Sequence, residues 1–398
     1  MLSREKIKEA EKMFTFLKEK RISMRSSLVI HYFTLLLHEN QSEEELIRFI
    51  IRYWVRILNI KLGWIHEFEK FVAEYANTSF MLDTFRSSSK LLKVFTENFN
   101  CVNSIDYIIF DYCEFICSGS NDKTIRVWDV ETNKQIQLFN GHSSSVLCVK
   151  FSSYHRYSNR RNVICSSSYD KTIRFWDIKD NRQVKVFDEH INSINGIEFS
   201  PFNGGKYLCS ASSDKTIRLW DIETPKSLHV FNGHENRIWC VDISPLQSND
   251  NNKSNSMGVI GGNGYTICSG SLDNSIRLWD IETTKQFILF KGHNGFVFSV
   301  KYGSSELRDM ILSGSQDTTV RLWDIRSGQQ IRLFNGHLHS IMSVGYSPFV
   351  VDNSEIGGIS NVICSGSLDN TIRFWDIRSN KKELYVIKES RGINVLNF

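Results

Sequence analysis

The stretch Ser269–Asp280, SGSLDNSIRLWD, decides how this chain is read. It holds a serine and an aspartate, and His234 lies upstream, so the three residue types of a nucleophilic triad are present. Nearly the same text recurs as SNDKTIRVWD, SYDKTIRFWD, SSDKTIRLWD, SQDTTVRLWD and SLDNTIRFWD. Its Trp-Asp pair falls at Trp128, Trp176, Trp220, Trp279, Trp323 and Trp375, at intervals of 44 to 59 residues. A catalytic centre is needed once, whereas a segment laid down six times is architecture.

After each Trp-Asp comes a polar turn, then a short strand: QIQLF, QVKVF, SLHVF, QFILF, QIRLF, ELYVI. A Gly-His or Glu-His pair usually follows, at His142, His190, His234, His293 and His337, and then an alternating segment such as SVLCVKF or SIMSVGY. Each unit therefore predicts four short strands separated by Gly/Asn/Asp/Ser turns. One such sheet cannot bury both faces, but several packed radially bury them all and leave only short edges. The pattern closely resembles the WD-repeat family over about residues 91–398. That resemblance implies an all-β propeller.

In WD repeats the His, a strand Ser, a turn Asp and the Trp form a hydrogen-bonded tetrad that ties the blade together. Carried over, the sets are His142/Ser166/Asp170/Trp176, His190/Ser210/Asp214/Trp220, His234/Ser269/Asp273/Trp279, His293/Ser313/Asp317/Trp323 and His337/Ser365/Asp369/Trp375. Elementary physics agrees, because a buried Asp, imidazole, hydroxyl and indole must satisfy one another. The first unit departs, with Asn98 at the His position beside Ser118, Asp122 and Trp128. An arginine two residues before each Trp (Arg126, Arg174, Arg218, Arg277, Arg321, Arg373) is expected to pair with acids or stack on rings.

Counted as strands a to d from the axis outward, residues 102–387 make six complete blades. Two strands remain: Leu91–Phe95 resembles an outer strand d and Ile393–Phe398 an inner strand a. The expectation is a ring with a partial seventh blade lacking strands b and c, the chain being a fragment, with strand edges left open. Insertions in the second, fourth and sixth units all fall in the a–b connection and should hang from one face. The fourth, Asn/Ser-rich, reads as a mobile loop.

Residues 1–90 change period and are expected to be a helical extension. Ile7, Ala10, Met13, Phe14 and Leu17 space as a helix stripe, and Ser42–Glu45 looks like a capping box opening a second helix. That extension packs on itself or against the propeller, or else recruits a second partner. The window Leu46–Ile60 carries Arg48, Arg52 and Arg56 and is not a membrane span. No secretory leader is visible, and the expected location is the cytoplasm, with the nucleus as an alternative. Seven of the nine cysteines fall at two matching repeat positions (Cys117, Cys165, Cys209, Cys268 and Cys364; Cys148 and Cys240), and no paired CxxC spacing is present, so no metal and no cofactor is expected.

A net charge of +4 is too small to argue for nucleic acid, and Arg156, Arg160 and Arg161 make only a small patch. In WD-repeat proteins, partners dock where three positions per blade reach one face: three and five residues after the tetrad His, and the residue before the tetrad Asp. Carried over, these are Ser145, Leu147 and Tyr169; Ser193, Asn195 and Ser213; Arg237, Trp239 and Leu272; Phe296, Phe298 and Gln316; and Ser340, Met342 and Leu368. Apolar anchors and one Arg concentrate in units four to six, so Arg237, Trp239, Leu272, Phe296, Phe298, Met342 and Leu368 are the candidate partner-binding residues. Plugging the central channel is their bland alternative. The function expected is a non-catalytic interaction scaffold for proteins or peptides, or more narrowly a substrate adaptor of a ubiquitin-ligase or signalling complex. An enzyme would need a non-repeated acid, base or metal cluster, and the sequence offers none.

Overall fold

The computed structural model describes residues 91, 93–96, 100–110, 113–224, 226–244, 265–303, 307, 309–347, 362–378 and 383–396. All of them belong to the unit Glu74–Phe398. The helices expected before residue 91, Asn98, and the insertions of the fourth and sixth units lie outside these residues.

Six four-stranded antiparallel sheets follow one another along the chain, over 102–140, 146–187, 194–232, 238–290, 297–334 and 341–388. Each is a simple meander a–b–c–d, and successive inner strands pack side by side. The sequence explains the layering. Strand b is short, apolar and small, as in VICSSS over Val163–Ser168, and every residue of it is buried between neighbouring sheets. Strand d alternates, as in Lys134–Asn140, and keeps one side in water.

Small residues in strand b let the next blade approach. A Cβ on Gly270 would lie 2.6 Å from Val297 Cγ1 of the following inner strand. Large aromatics fill the seams: Phe187 stacks on Trp220 with centroids 4.9 Å apart, both fully buried. Burying such a side chain contributes roughly 1.5–3 kcal/mol.

The Asp of each Trp-Asp pair has a local task. Asp129, Asp177, Asp221, Asp280, Asp324 and Asp376 each accept from a backbone N–H two residues on, fixing the c–d turn.

In the second unit, the a–b insertion holds the only α-helix among the described residues, α1 (Ser153–Asn159), with Ser152 at its N-cap. At seven residues it is too short for a hydrophobic period to announce it. Tyr154 Oη donates to Glu223 Oε1 at 2.6 Å, holding the helix against the third blade.

The described residues of the two surplus segments lie where a partial seventh blade would place them, although neither joins a ladder. Phe95 packs on Trp128 at 5.2 Å, as Phe139 packs on Trp176 at 5.5 Å one blade later. Lys93 Nζ donates to the Val130 and Glu131 carbonyls, the same turn that Lys185 reaches at Ile222 and Glu223. On the inside, Leu396 N donates to Ser343 Oγ at 3.2 Å, as Val344 N donates to Ser299 Oγ at 3.2 Å. The fold is thus six complete blades, with two unpaired segments, 93–96 and 393–396, standing where the outer and inner strands of a partial seventh are expected.

Candidate functional site: the bolted blades and one aromatic face

Each of five blades carries a complete tetrad. His Nδ1 lies 2.7–2.8 Å from the Asp carboxylate in the pairs His142–Asp170, His190–Asp214, His234–Asp273, His293–Asp317 and His337–Asp369. His Nε2 lies 2.7–2.8 Å from the Oγ of Ser166, Ser210, Ser269, Ser313 and Ser365. The indole N–H of Trp176, Trp220, Trp279, Trp323 and Trp375 donates to that same Oγ at 2.8–2.9 Å.

With the imidazole neutral, the protons have one consistent placement. A carboxylate only accepts, so Nδ1 carries the hydrogen; an indole only donates, so the serine accepts from it and gives its own proton to Nε2. The carboxylates take further bonds, Asp170 from Ser143 N, Thr172 N and Thr172 Oγ1. Burial works to raise the Asp170 carboxyl, but hydrogen bonds from His142 and Thr172 outweigh it and hold it well below its ordinary value. Burial also holds His190, His234, His293 and His337 below theirs, with the adjacent carboxylate opposing.

This is triad chemistry without access. The five serines are fully buried and their oxygens are occupied by the indoles. No substrate carbonyl reaches them, so none of the five can act as a nucleophile. In the first blade Trp128 Nε1 still donates to Ser118 Oγ, at 3.2 Å.

The arginine row is paired. Arg126 meets Asp122 at 2.8 Å, Arg218 meets Glu189 at 2.5 Å and Arg373 meets Glu383 at 3.2 Å. Arg174, Arg277 and Arg321 lie 3.5–3.8 Å from the tetrad carboxylates of their own blades. Of the small basic patch, Arg161 is tied to Asp177 at 2.9 Å and Asp180 at 3.3 Å.

The structure brings the three face positions of a blade together by one backbone bond. Leu272 N donates to the Arg237 carbonyl at 2.9 Å, Gln316 N to Phe296 at 2.8 Å and Leu368 N to Ser340 at 3.0 Å. The position five residues after the His is set by a β-bulge. In blade four, Ile238 pairs with Ser271 and Cys240 with Gly270, which leaves Trp239 as the extra residue. Phe298 and Met342 are the extra residues of blades five and six. A bulge re-aims its side chain out of the ladder, and here it does so once per blade at the same end.

Trp239 and Phe298 consequently meet across the seam between blades four and five, edge to face, with centroids 5.4 Å apart. Phe296 lies 6.3 Å from Phe298. These three rings are partly exposed, as are Leu272 and Met342, and Arg237 and Leu368 are exposed. In blade three the same positions do something else. Asn195 Nδ2 donates to Ser213 Oγ at 3.0 Å and to the Ile238 carbonyl at 2.7 Å, while Ser193 Oγ donates to Ser213 Oγ at 2.8 Å. All three are buried, so this blade's set is a seam and not a contact surface.

One cluster was not singled out from sequence. Glu198 Oε2 lies 3.1 Å from both Lys150 Nζ and Lys301 Nζ, and Lys301 Nζ lies 3.1 Å from Asp242 Oδ1. Glu198 and Lys301 sit on the inner strands of blades three and five, which are not neighbours, so their pairing spans the axial channel. Burial raises the Asp242 carboxyl; for Glu198 burial is outweighed by Lys150 and Lys301, which hold it low. The signal was there: VKF, IEF, VDI and VKY each put one charge between core residues of strand a. Among the described residues no helix is long and apolar enough to cross a membrane, and no group of three or more His, Cys, Asp or Glu could hold a metal ion.

Radial four-stranded sheets, each bolted by the same buried tetrad, define a β-propeller of the repeat-built class. The chain belongs to the WD-repeat family: the WD domain, G-beta repeat matches residues 89–129, 133–177, 181–221, 225–280, 284–324 and 328–376. Each match begins with the outer strand of the preceding blade, so repeat and sheet are offset by one strand. A 66-residue stretch is 39% identical to transcription initiation factor TFIID subunit 5 of Caenorhabditis elegans, covering 17% of this chain and 10% of that protein. A 46-residue stretch is 41% identical to WD repeat-containing protein pop1 of Schizosaccharomyces pombe, covering 11% of this chain and 6% of that protein. The chain thus spans a tenth or less of the length of these curated relatives, and the likeness is of repeat to repeat.

Proposed function

We propose that this propeller is a non-catalytic protein-interaction scaffold that grips a protein or peptide partner on the face presented by blades four to six. The observation that carries the reading is the contact of Trp239 with Phe298, two bulge residues of adjacent blades joined into one partly exposed aromatic ridge. Phe296 adjoins it, and Arg237, Leu272, Met342 and Leu368, at the matching positions of blades four to six, are at least partly exposed. Aromatic residues and arginine clustered in one patch are the composition of interface hot spots, and truncating one costs 2 kcal/mol or more, about 30-fold in affinity. The repeated polar residues are already committed to holding blades together, which leaves this face to do the recognising. Nine free thiols, five of them buried at the matching strand-b position, fit a reducing compartment such as the cytoplasm or nucleus.

The test is affinity purification from native cells with mass spectrometry, comparing the wild type with Trp239→Ala/Phe298→Ala and checking the fold by circular dichroism. Partners lost from a folded double variant support the ridge as the binding surface. A folded double variant that retains every partner refutes it.

A further inference from the structure

The face that carries Trp239 and Phe298 has two unlike halves. In every blade the b–c turn is tied to the residue just before strand a. Asn121 N donates to the Cys101 carbonyl at 2.9 Å, Tyr169 N to Ser145 at 3.0 Å and Ser213 N to Ser193 at 2.8 Å, as Leu272, Gln316 and Leu368 do in blades four to six. All six turns therefore stand at the end of the ring that bears the aromatic ridge. Two residues further on, directly after the turn Asp, the side chain changes character around the ring. It is Lys123, Lys171 and Lys215 in blades one to three, and Asn274, Thr318 and Asn370 in blades four to six.

The backbone gives no reason for lysine there. All six residues are left-handed, a region that favours asparagine over lysine. The turn engages each lysine only through its main chain, Lys123 N donating to the Ser120 carbonyl at 3.1 Å, and Lys171 N and Lys215 N to Ser168 and Ser212 at 3.2 Å. All three are exposed, and among the described residues no acid lies in ion-pair reach of any of them. The acids close by in sequence are engaged within their own blades: Asp122 by Arg126 at 2.8 Å, Asp170 by His142 and Asp214 by His190 at 2.7 Å, and Glu189 by Arg218 at 2.5 Å. Asp188, exposed just past strand d of blade two, makes no ion pair with Lys171. Counting the turn Asp, the residue after it and the strand arginine, each of blades one to three carries a surplus positive charge and each of blades four to six carries none.

The charged and aromatic halves are continuous. Asn195 Nδ2 donates to Ser213 Oγ at 3.0 Å, two residues before Lys215, and to the carbonyl of Ile238 at 2.7 Å, next to Trp239.

We propose that the partner segment gripped by this face is acidic on one side of its apolar anchor: apolar side chains seat on Trp239 and Phe298, and a run of Asp and Glu lies over Lys215, Lys171 and Lys123. This deepens the reading of the ridge as the partner site and rests on it. Ammonium groups on flexible stems are point charges that suit dispersed carboxylates, whereas phosphate is selected by the planar, two-pronged fork of arginine. An apolar half joined to three lysines fits a peptide better than a nucleic acid, which calls for a basic face along its whole path. Exposed charges of this kind speed encounter and fix which way round the segment lies.

The test is selection of random displayed peptides on the full chain, followed by anisotropy titration of the most enriched peptide. Sequences with an aromatic or aliphatic core flanked on one side by Asp and Glu are expected. Lys123→Asn/Lys171→Asn/Lys215→Asn gives these turns the residue that blades four and six already carry at the same φ, so the fold should be kept, as circular dichroism checks. That variant should bind the enriched peptide about tenfold more weakly, and should bind a copy with its acids replaced by Gln as well as the wild type does. Apolar peptides without an acidic flank, or an enriched peptide that the lysine variant binds unchanged, overturn the proposal while the ridge stands. Acidic peptides that survive Trp239→Ala/Phe298→Ala overturn the ridge and with it the joint site, and no enrichment at all overturns both. Tighter binding of the same peptide with phosphoserine in place of Glu, or of a single-stranded oligonucleotide, gives the lysines to phosphate and overturns a carboxylate partner.

Discussion

Asn394 Nδ2 donates to the carbonyl of Val102 at 3.2 Å, joining the last described inner strand to the first. The same bond links Asn195 to Ile238 at 2.7 Å and Asn103 to Val146 at 2.8 Å, each the bulge residue of one blade reaching the first inner-strand residue of the next. A chain contact across 292 residues thus repeats the geometry of contacts between adjacent repeats. Asn394→Leu is expected to lower the stability of the ring by about 1 kcal/mol, the net worth of one part-buried hydrogen bond. Guanidinium unfolding measures it, and an unchanged midpoint would mean the ring is not joined there.

The tetrad serines have a structural task that can be measured. In Ser210→Ala, Trp220 Nε1–H is left buried with its acceptor gone, and His190 loses its donor. A loss of about 1–3 kcal/mol is expected. A fluorophosphonate probe should label none of Ser166, Ser210, Ser269, Ser313 and Ser365 in the folded protein, since all five are fully buried. Labelling of any one of them would return that tetrad to the list of catalytic candidates.

Acid should destabilise the propeller in two stages. Burial holds His190, His234, His293 and His337 below their ordinary 6.5, so below that pH the unfolded chain takes up protons that the folded one refuses. For Asp170, Asp214, Asp273 and Asp317, burial opposes but hydrogen bonds from His and from Thr or Ser prevail, and the carboxyls are held well below 3.8. In both cases the unfolded state binds more protons, so stability rises with pH. Tm should be highest above pH 6.5, decline from there toward pH 4, and fall further as pH drops through the folded carboxyl range. A Tm that stays flat between pH 7 and 5 contradicts the neutral, buried histidines.

One turn carries avoidable strain. The residue after the tetrad Asp is left-handed in every blade: Lys123, Lys171, Lys215, Asn274, Thr318 and Asn370, with φ between 65° and 71°. Asparagine tolerates this region, whereas a β-branched residue is disfavoured by on the order of 1 kcal/mol. Thr318→Asn is expected to raise stability by about that amount. Thermal unfolding tests it, and a lower Tm would show that Thr318 contributes something its backbone does not reveal.

The tetrads were legible because each depends on a spacing within one repeat. Ser269 and Trp279 lie on adjoining strands of one sheet, with His234 and Asp273 in the connections that flank them, so the order of residues nearly dictates their meeting. The partner-face residues could be carried over by position, but the bulge that aims Trp239 and Phe298 could not be read, because a one-residue slip leaves no mark in composition. Helix α1 escaped for want of length, and the Lys150–Glu198–Lys301–Asp242 cluster because it gathers one residue from each of four repeats.

The sequence by itself determined the blade: four strands, a turn Asp and a bolting Trp, repeated six times, with a bolting His in five of them. Repetition suffices for this, since each repeat makes the same local hydrogen bonds whatever surrounds it. Only the tertiary structure decided what lies between blades. The channel ion pairs and the Trp239–Phe298 ridge each arise from residues in different repeats. Their meeting depends on the angle at which whole sheets pack round the axis, and no local pattern of residues encodes that angle.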